Sequence, residues 1–135
     1  MELGGKSPQI VFSDCDIESA IPTILNSIIQ NSGQTCSAGS RLLIEKKIWD
    51  TFLKELSYHF EKLVVGDAEM NLDLGPLISA TQKERVIGFY EGALKDNIPI
   101  IAEGKISSKV PKNGFYVKPV LLGPVPTENS LAQKE

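Results

Sequence analysis

Short apolar runs alternate along this chain with longer segments whose apolar residues recur at helical spacing. That alternation limits the fold more than any other feature, because strands interleaved with covering helices pack as an α/β layer with a mostly parallel sheet. Ser7-Pro8-Gln9-Ile10-Val11-Phe12 reads as a buried strand. Asp14 and Asp16 offer N-cap oxygens, and Ile17, Ala20, Ile21, Ile24, Leu25, Ile28 and Ile29 follow on one helical face. Pro22 lies inside this pattern and is expected to kink the helix or mark a fresh start. Gly33 suits a left-handed stop. Arg41 to Glu45 reads as a second strand. Ile48, Phe52, Leu56, Phe60 and Leu63 then form one stripe of an amphipathic helix.

Gly66 to Gly75 reads as loop, and Thr81-Gln82-Lys83-Glu84 has the spacing of a capping box. The helix it opens carries Val86, Phe89, Tyr90, Ala93 and Leu94 and ends near Asn97. Ile98 to Ala102 and Phe115 to Leu122 read as strands, with Pro119 marking an edge or a bulge. The expected architecture is an open, mostly parallel sheet with covering helices. A complete doubly wound sheet usually has more strands than this, so the segment is expected to need a partner to cover its sheet.

Composition excludes several classes of function. With 135 residues, 41% hydrophobic and 23% charged, the chain has enough apolar material to order itself as one domain or part of one. Its net charge is −3, and no Lys/Arg cluster gives a nucleic-acid footprint. No apolar stretch approaches the ~20 residues that span a bilayer, and Glu2, Lys6 and Pro8 interrupt any leader-like run. Two cysteines make no disulfide framework. A cytoplasmic chain with free thiols, no membrane contact and no nucleic-acid partner is the expectation.

Among residues that carry chemistry, Cys36 stands out. Gly33-Gln34-Thr35-Cys36-Ser37-Ala38-Gly39-Ser40-Arg41 is small, polar and glycine-rich, between an expected helix and an expected strand. A nucleophilic thiol needs such a backbone, which lets a substrate approach and aims amides at a developing oxyanion. A small buried thiol is the ordinary alternative. Glu2 opens Glu2-Leu3-Gly4-Gly5-Lys6-Ser7-Pro8 and offers a general base, or else is a solvated carboxylate. Cys15 sits between Asp14 and Asp16, where a thiolate is disfavoured. His59 lies within a helix with no companion ligands, so no metal site is expected. Gly4-Gly5-Lys6-Ser7 lacks the first glycine and the preceding strand of a phosphate loop. Trp49, Phe52 and Phe60 read as core.

Residues 2–8 and 33–41 together resemble the motifs of the aldehyde dehydrogenase superfamily, in the expected order and separation. Leu74-Gly75-Pro76-Leu77 and Gly114-Phe115-Tyr116-Val117-Lys118-Pro119 extend the likeness over the whole chain. The resemblance implies NAD(P)+-dependent oxidation of a small-molecule aldehyde to a carboxylic acid. Cys36 matches the nucleophile, which passes through a thiohemiacetal and a thioester. Glu2 matches the base that activates water. Leu3, Gln82, Arg85 and Glu135 match positions that contact NAD or NADP, Glu135 and Gln82 with Arg85 on the ribose side.

The resemblance also implies that residues 1–135 are a partial catalytic domain. The nucleotide-binding domain, an upstream oxyanion-hole asparagine and the C-terminal part with its oligomerisation elements are expected outside it. The longer parent is expected to be a homo-oligomer, and this piece alone is expected to be inactive. Two other readings stand beside this one: a cysteine–glutamate hydrolase or amidase using Cys36, Glu2 and Lys6, and a truncated, non-catalytic product with adhesive exposed surfaces.

Overall fold

A computed structural model describes residues 4–134. The first strand, β1 (Pro8–Val11), leads into helix α1 (Ile17–Ile29), which returns the chain to strand β2 (Arg41–Ile44). The two strands pair in parallel, Pro8 opposite Arg41 and Val11 opposite Ile44. Parallel pairing requires a crossover of this length, and α1 supplies it.

The helix starts where the sequence places it. Asp16 caps α1 by accepting from the Glu18 amide at 3.2 Å and the Ser19 hydroxyl at 2.5 Å. The Ser19 hydroxyl, with the Glu18 amide assisting, holds the Asp16 carboxyl below its ordinary range. Of the two outcomes expected at Pro22, a fresh start is excluded, because α1 runs unbroken through it. Pro22 is exposed, while its neighbours Ile21, Ile24 and Leu25 are buried against the sheet. An interior proline costs ~3 kcal/mol, and burial of three large aliphatic side chains, at ~1.5–3 kcal/mol each, outweighs it.

Helix α2 (Trp49–Phe60) contributes Phe52, Leu56 and Phe60 to the same core; Phe52 is fully buried. Val11, Ile21, Ile24, Leu25, Leu63, Val65, Leu74, Ala102 and Tyr116 complete the cluster. Cys15 is half-buried and packs against it, as its position at the start of α1 suggests.

The second half of the chain adds strands β3 (Val64–Val65), β4 (Ile100–Glu103), β5 (Lys105–Ile106) and β6 (Val120–Leu122), with helix α3 (Ala80–Lys95) between β3 and β4 in chain order. β3 pairs with β5 in parallel, and β4 pairs with β6 in antiparallel register. Gly104 joins β4 to β5 where the strand exchanges one partner for the other. Its amide donates to the Pro119 carbonyl at 2.9 Å, and the next amide, of Lys105, donates to the Leu63 carbonyl at 2.9 Å. A Cβ at Gly104 would stand 2.6 Å from the Pro119 ring and 2.8 Å from the Leu63 carbonyl, so the crossing needs glycine. The register slips between Ile100 and Ala102, and the Phe115–Leu122 run forms a strand only after Pro119. A short helix, α4 (Ser130–Gln133), closes the described chain.

The α/β class and the parallel pairing of β1 with β2 agree with the sequence pattern. Full burial of the first strand does not. Ile10, Phe12 and Leu43 lie on the face away from α1 and are 62%, 62% and 50% exposed. α3 is capped by Ser79 rather than Thr81, with the Ser79 hydroxyl accepting from the Gln82 amide at 3.2 Å. Only Ala93 of this helix is buried. It is tied to β4 by the Tyr90 hydroxyl, which donates to Glu103 Oε1 at 3.2 Å, while Lys118 Nζ bonds Glu103 Oε2 at 2.6 Å.

Phe52→Ala is expected to lower stability by ~3–5 kcal/mol, read from urea unfolding, since it leaves a ring-sized cavity; a loss below about 1 kcal/mol would contradict the core assignment. The Lys118 ammonium holds the Glu103 carboxyl below its usual range, and Glu103 in turn holds Lys118 above its own. The Glu103 contribution is therefore present above ordinary carboxylate pKa values and fades in acid. The Lys118 contribution is present below ordinary lysine values and fades in strong alkali. The Lys118 side chain is 41% exposed, so Lys118→Met should cost less than ~1 kcal/mol at neutral pH. It should also flatten the acid loss of stability below about pH 4.5, followed by urea midpoints across pH.

Candidate functional site

The turn that carries Cys36 connects the C-terminal end of α1 to the first residue of β2. It begins with backbone of unusual handedness. Asn31, Ser32 and Gly33 have φ of 50°, 56° and 75°. Left-handed backbone at a non-glycine residue costs ~1–2 kcal/mol, so two such residues persist only if the surroundings fix them. Local bonds do part of this. The Asn31 side chain donates to the Gln34 carbonyl at 3.1 Å, and the Gln34 side chain donates to the Asn31 carbonyl at 3.0 Å. Gly33 takes the same conformation without a side-chain penalty, but α1 ends at Ile29 with Gln30 as its C-cap, so the glycine follows the helix stop instead of making it.

From Gln34 the chain turns through Thr35, Cys36 and Ser37, with the Ala38 amide donating to the Thr35 carbonyl at 3.1 Å. Cys36 is exposed and unpaired. Ala38 beside it is buried and anchors the turn. The turn is braced from the β1 side by Ser7, whose hydroxyl donates to the Cys36 carbonyl at 3.3 Å. Gln9 donates to the Gly39 carbonyl at 3.0 Å, and the Gly39 amide donates to the Ser27 carbonyl of α1 at 3.2 Å. Arg41 Nε donates to the Lys6 carbonyl at 2.8 Å. Gly39 is thus held between a strand and a helix; a Cβ there would collide with Gln9 Nε2 and Ser27 Oγ.

The same turn is tied to the lead-in of α3. The Ser32 hydroxyl donates to the Gly75 carbonyl at 2.9 Å, and the Ile78 amide donates to Gln34 Oε1 at 3.0 Å. The first turn of α3 therefore stands beside the cysteine turn. Gln82 is half-buried there, and Arg85 is exposed one turn further on. Their amide and guanidinium groups are donors suited to sugar hydroxyls.

Chemically, the turn presents an accessible thiol on a fixed backbone. Among the described residues the Cys36 amide donates to nothing, so it remains available to an oxygen at the reacting centre. Cys36 lines neither of two cavities, of about 690 and 490 Å³. The larger lies between α3 and the strands behind Ser32, Gly33 and Gly75, and the smaller between β2 and β6. Glu2, Leu3 and Glu135, which the sequence singles out, lie outside the described residues. His59 is exposed and stacks edge-on against Tyr58 at 5.3 Å, and among the described residues no His, Cys, Asp and Glu cluster could hold a metal.

The sequence pointed to an exposed thiol at Cys36 but not to the frame that holds its turn. Ser7, Gln9, Ser27 and Gln34 hold the turn through contacts that span up to 44 positions. The available signal was weak: a glutamine in an otherwise apolar strand, and another just before the cysteine.

A sequence model described as the aldehyde dehydrogenase family matches residues 1–135. A betaine aldehyde dehydrogenase of Rhizobium johnstonii is 37% identical over 136 residues, covering 100% of this chain and 28% of the relative. Among solved structures, a Burkholderia cenocepacia protein described as a candidate aldehyde dehydrogenase superposes with a TM-score of 0.97 at 48% identity. That match covers 99% of this chain and 28% of the other. A betaine aldehyde dehydrogenase of Staphylococcus aureus, solved with NAD+, gives a TM-score of 0.88 at 33% identity over 99% of this chain and 27% of its own. The chain thus spans about 28% of the length of the curated relatives it matches. Among the described residues no helix is long and apolar enough to cross a membrane.

Gly39→Ala should force Gln9 and Ser27 apart and cost ~1–3 kcal/mol. Denaturant unfolding together with the alkylation rate of Cys36 would show both the loss and the displaced turn. An unchanged midpoint would mean that the tight approach at Gly39 is not needed.

Proposed function

The chain belongs to the aldehyde dehydrogenase family, and from that premise we propose that it supplies the nucleophile and part of the cofactor contact for oxidation of an aldehyde to a carboxylic acid with NAD(P)+. The exposed Cys36 thiol on a turn braced from β1, α1 and the α3 lead-in carries this reading. In the proposed sequence the Cys36 thiolate attacks the carbonyl carbon. A C–S bond forms, and the carbonyl π pair moves onto oxygen to give a thiohemiacetal alkoxide. The Cys36 amide donates to that oxygen. Bound NAD(P)+ supplies the hydride acceptor that lets a thioester remain on sulfur. Water then attacks the thioester, its proton passing to the Glu2 carboxylate, and the thiolate leaves.

Gln82 and Arg85 would hold the ribose side of the cofactor with Leu3 and Glu135. The bond between the Ile78 amide and Gln34, which sets the start of α3 beside the cysteine turn, supports that assignment. The segment after Glu2 meets the turn through Lys6 and Ser7, which supports placing the carboxylate on the same side. The NAD+ bound to the Staphylococcus aureus relative makes NAD+ the first cofactor to test. The chain covers about 28% of its relatives' length and leaves Cys36 outside the two cavities described above, so in this reading the 135-residue chain alone does not turn over.

An activated ester separates the thiol chemistry from the redox step. With p-nitrophenyl acetate the Cys36 thiolate should take the acetyl group and release p-nitrophenolate, and peptide mass spectrometry should find acetyl on Cys36 well before Cys15. Cys36→Ser should abolish that release. Equal labelling of both cysteines would overturn the nucleophile assignment. Formation of reduced cofactor from propanal and NAD+ by the 135-residue chain would overturn its inactivity.

A further inference from the structure

We propose that Gln34 is a positioning residue for Cys36, acting as a clasp between the cysteine turn and the lead-in of α3. The inference rests on the reading of Cys36 as nucleophile and adds to it the group that fixes where the thiol stands.

The geometry assigns Gln34 two ends. Its Oε1 accepts the Ile78 amide at 3.0 Å, and its Nε2 donates to the Asn31 carbonyl at 3.0 Å. One side chain therefore bridges residues 31 and 78, two positions before the thiol. Packing does not hold the far end at that point. The Ile78 side chain is 82% exposed, so the position of its amide depends on its polar partner and on Leu77. Leu77 in turn is buried, and its amide donates to the Phe115 carbonyl at 2.9 Å. The clasp thus refers the cysteine turn, through Leu77 and Phe115, to the segment that leads into β6, while Ser7, Gln9 and Ser27 refer it to β1 and α1. The left-handed backbone at Asn31 and Ser32 needs such outside restraint, and Gln34 is the side chain that reaches both that segment and Ile78.

The test labels Cys36 with 3-bromo-1,1,1-trifluoroacetone in a Cys15→Ser background of the 135-residue chain and reads the fluorine resonance beside amide exchange at Ile78. With Gln34 present the line should be single and narrow. Gln34→Met keeps the length and removes both polar ends. It should speed Ile78 exchange by about tenfold, the loss of one hydrogen bond, and broaden or split the fluorine line. Gln34→Glu still accepts the Ile78 amide but loses the donor to the Asn31 carbonyl, so it should bring Ile78 exchange to within about threefold of the parent while the fluorine line stays broadened or split. Ile78→Pro removes the donor and leaves Gln34 in place. It should broaden the line as Gln34→Met does, and it carries the test should Gln34→Met fail to fold. Faster Ile78 exchange with an unchanged fluorine line would reduce Gln34 to a tie with no hold on the thiol, and unchanged exchange would show that the clasp is not made; either overturns the proposal. No aldehyde, ester or cofactor enters these measurements, so failure here leaves acetyl transfer to Cys36 standing, and the converse holds as well.

Discussion

The parallel register of β1 on β2 is the constraint from which the rest follows. Setting Pro8 opposite Arg41 obliges the intervening residues to leave the sheet, cross it and return. α1 makes the crossing, and the return leg between Ile29 and Arg41 becomes the cysteine turn. The same register brings Ser7 and Gln9 to Cys36 and Gly39. A slip of one residue would turn Val11 outward and Ile10 inward and would break these bonds together. Strand pairing and the placement of the thiol are therefore one structural decision.

That decision leaves a debt on the opposite face. Ile10, Phe12 and Leu43 stand side by side in water, although their residue types favour a buried sheet. The sequence reads as a strand covered on both sides because in a parallel sheet it normally is. The chain covers one side with α1 and about 28% of the length of its relatives overall. The conflict between a two-sided apolar strand and a one-sided cover is a property of this stretch of chain. α3 shows the same condition, held at its ends and along one edge while only Ala93 is buried.

Legibility in the sequence tracked the range of the interaction. Features fixed within a few residues were readable: the Asp16 cap, the left-handed backbone at Gly33, the α2 stripe through Phe52, Leu56 and Phe60. So was the setting of Cys36, an exposed thiol on a turn between a helix and a strand, because small residues flank it locally. Features settled between distant segments were not. Pro22 survives in mid-helix because the sheet holds Ile21, Ile24 and Leu25, which no local rule contains. Ser79 displaces Thr81 as the cap because the lead-in through Leu77 and Ile78 is fixed by Phe115 and Gln34. The exchange of strand partners at Gly104 depends on Leu63 and Pro119, which lie about forty residues before it and fifteen after it. Leu3 and Glu135 came from motif resemblance alone, whereas Glu2 was first a candidate base by its residue type and neighbouring glycines.

The frame around the thiol is built almost entirely from neutral donors and acceptors. Ser7, Gln9, Asn31, Ser32 and Gln34 hold it through uncharged groups, and Arg41 meets it only at the Lys6 carbonyl. Among the described residues the one ion pair, Lys118 with Glu103, serves α3 and the strands instead. A neutral frame is little affected by salt or by modest changes of pH, so the position of the turn is decoupled from the charges that chemistry would create there. In a reaction at Cys36, negative charge would develop first on sulfur and then on oxygen. Fixed amide dipoles can meet such a charge without rearranging, whereas a bound cation would also stabilise the resting thiolate and blunt its attack. The use of glycine, serine and glutamine around Cys36 fits that division of labour: backbone and amide groups set geometry, and ionic groups are kept for holding the fold.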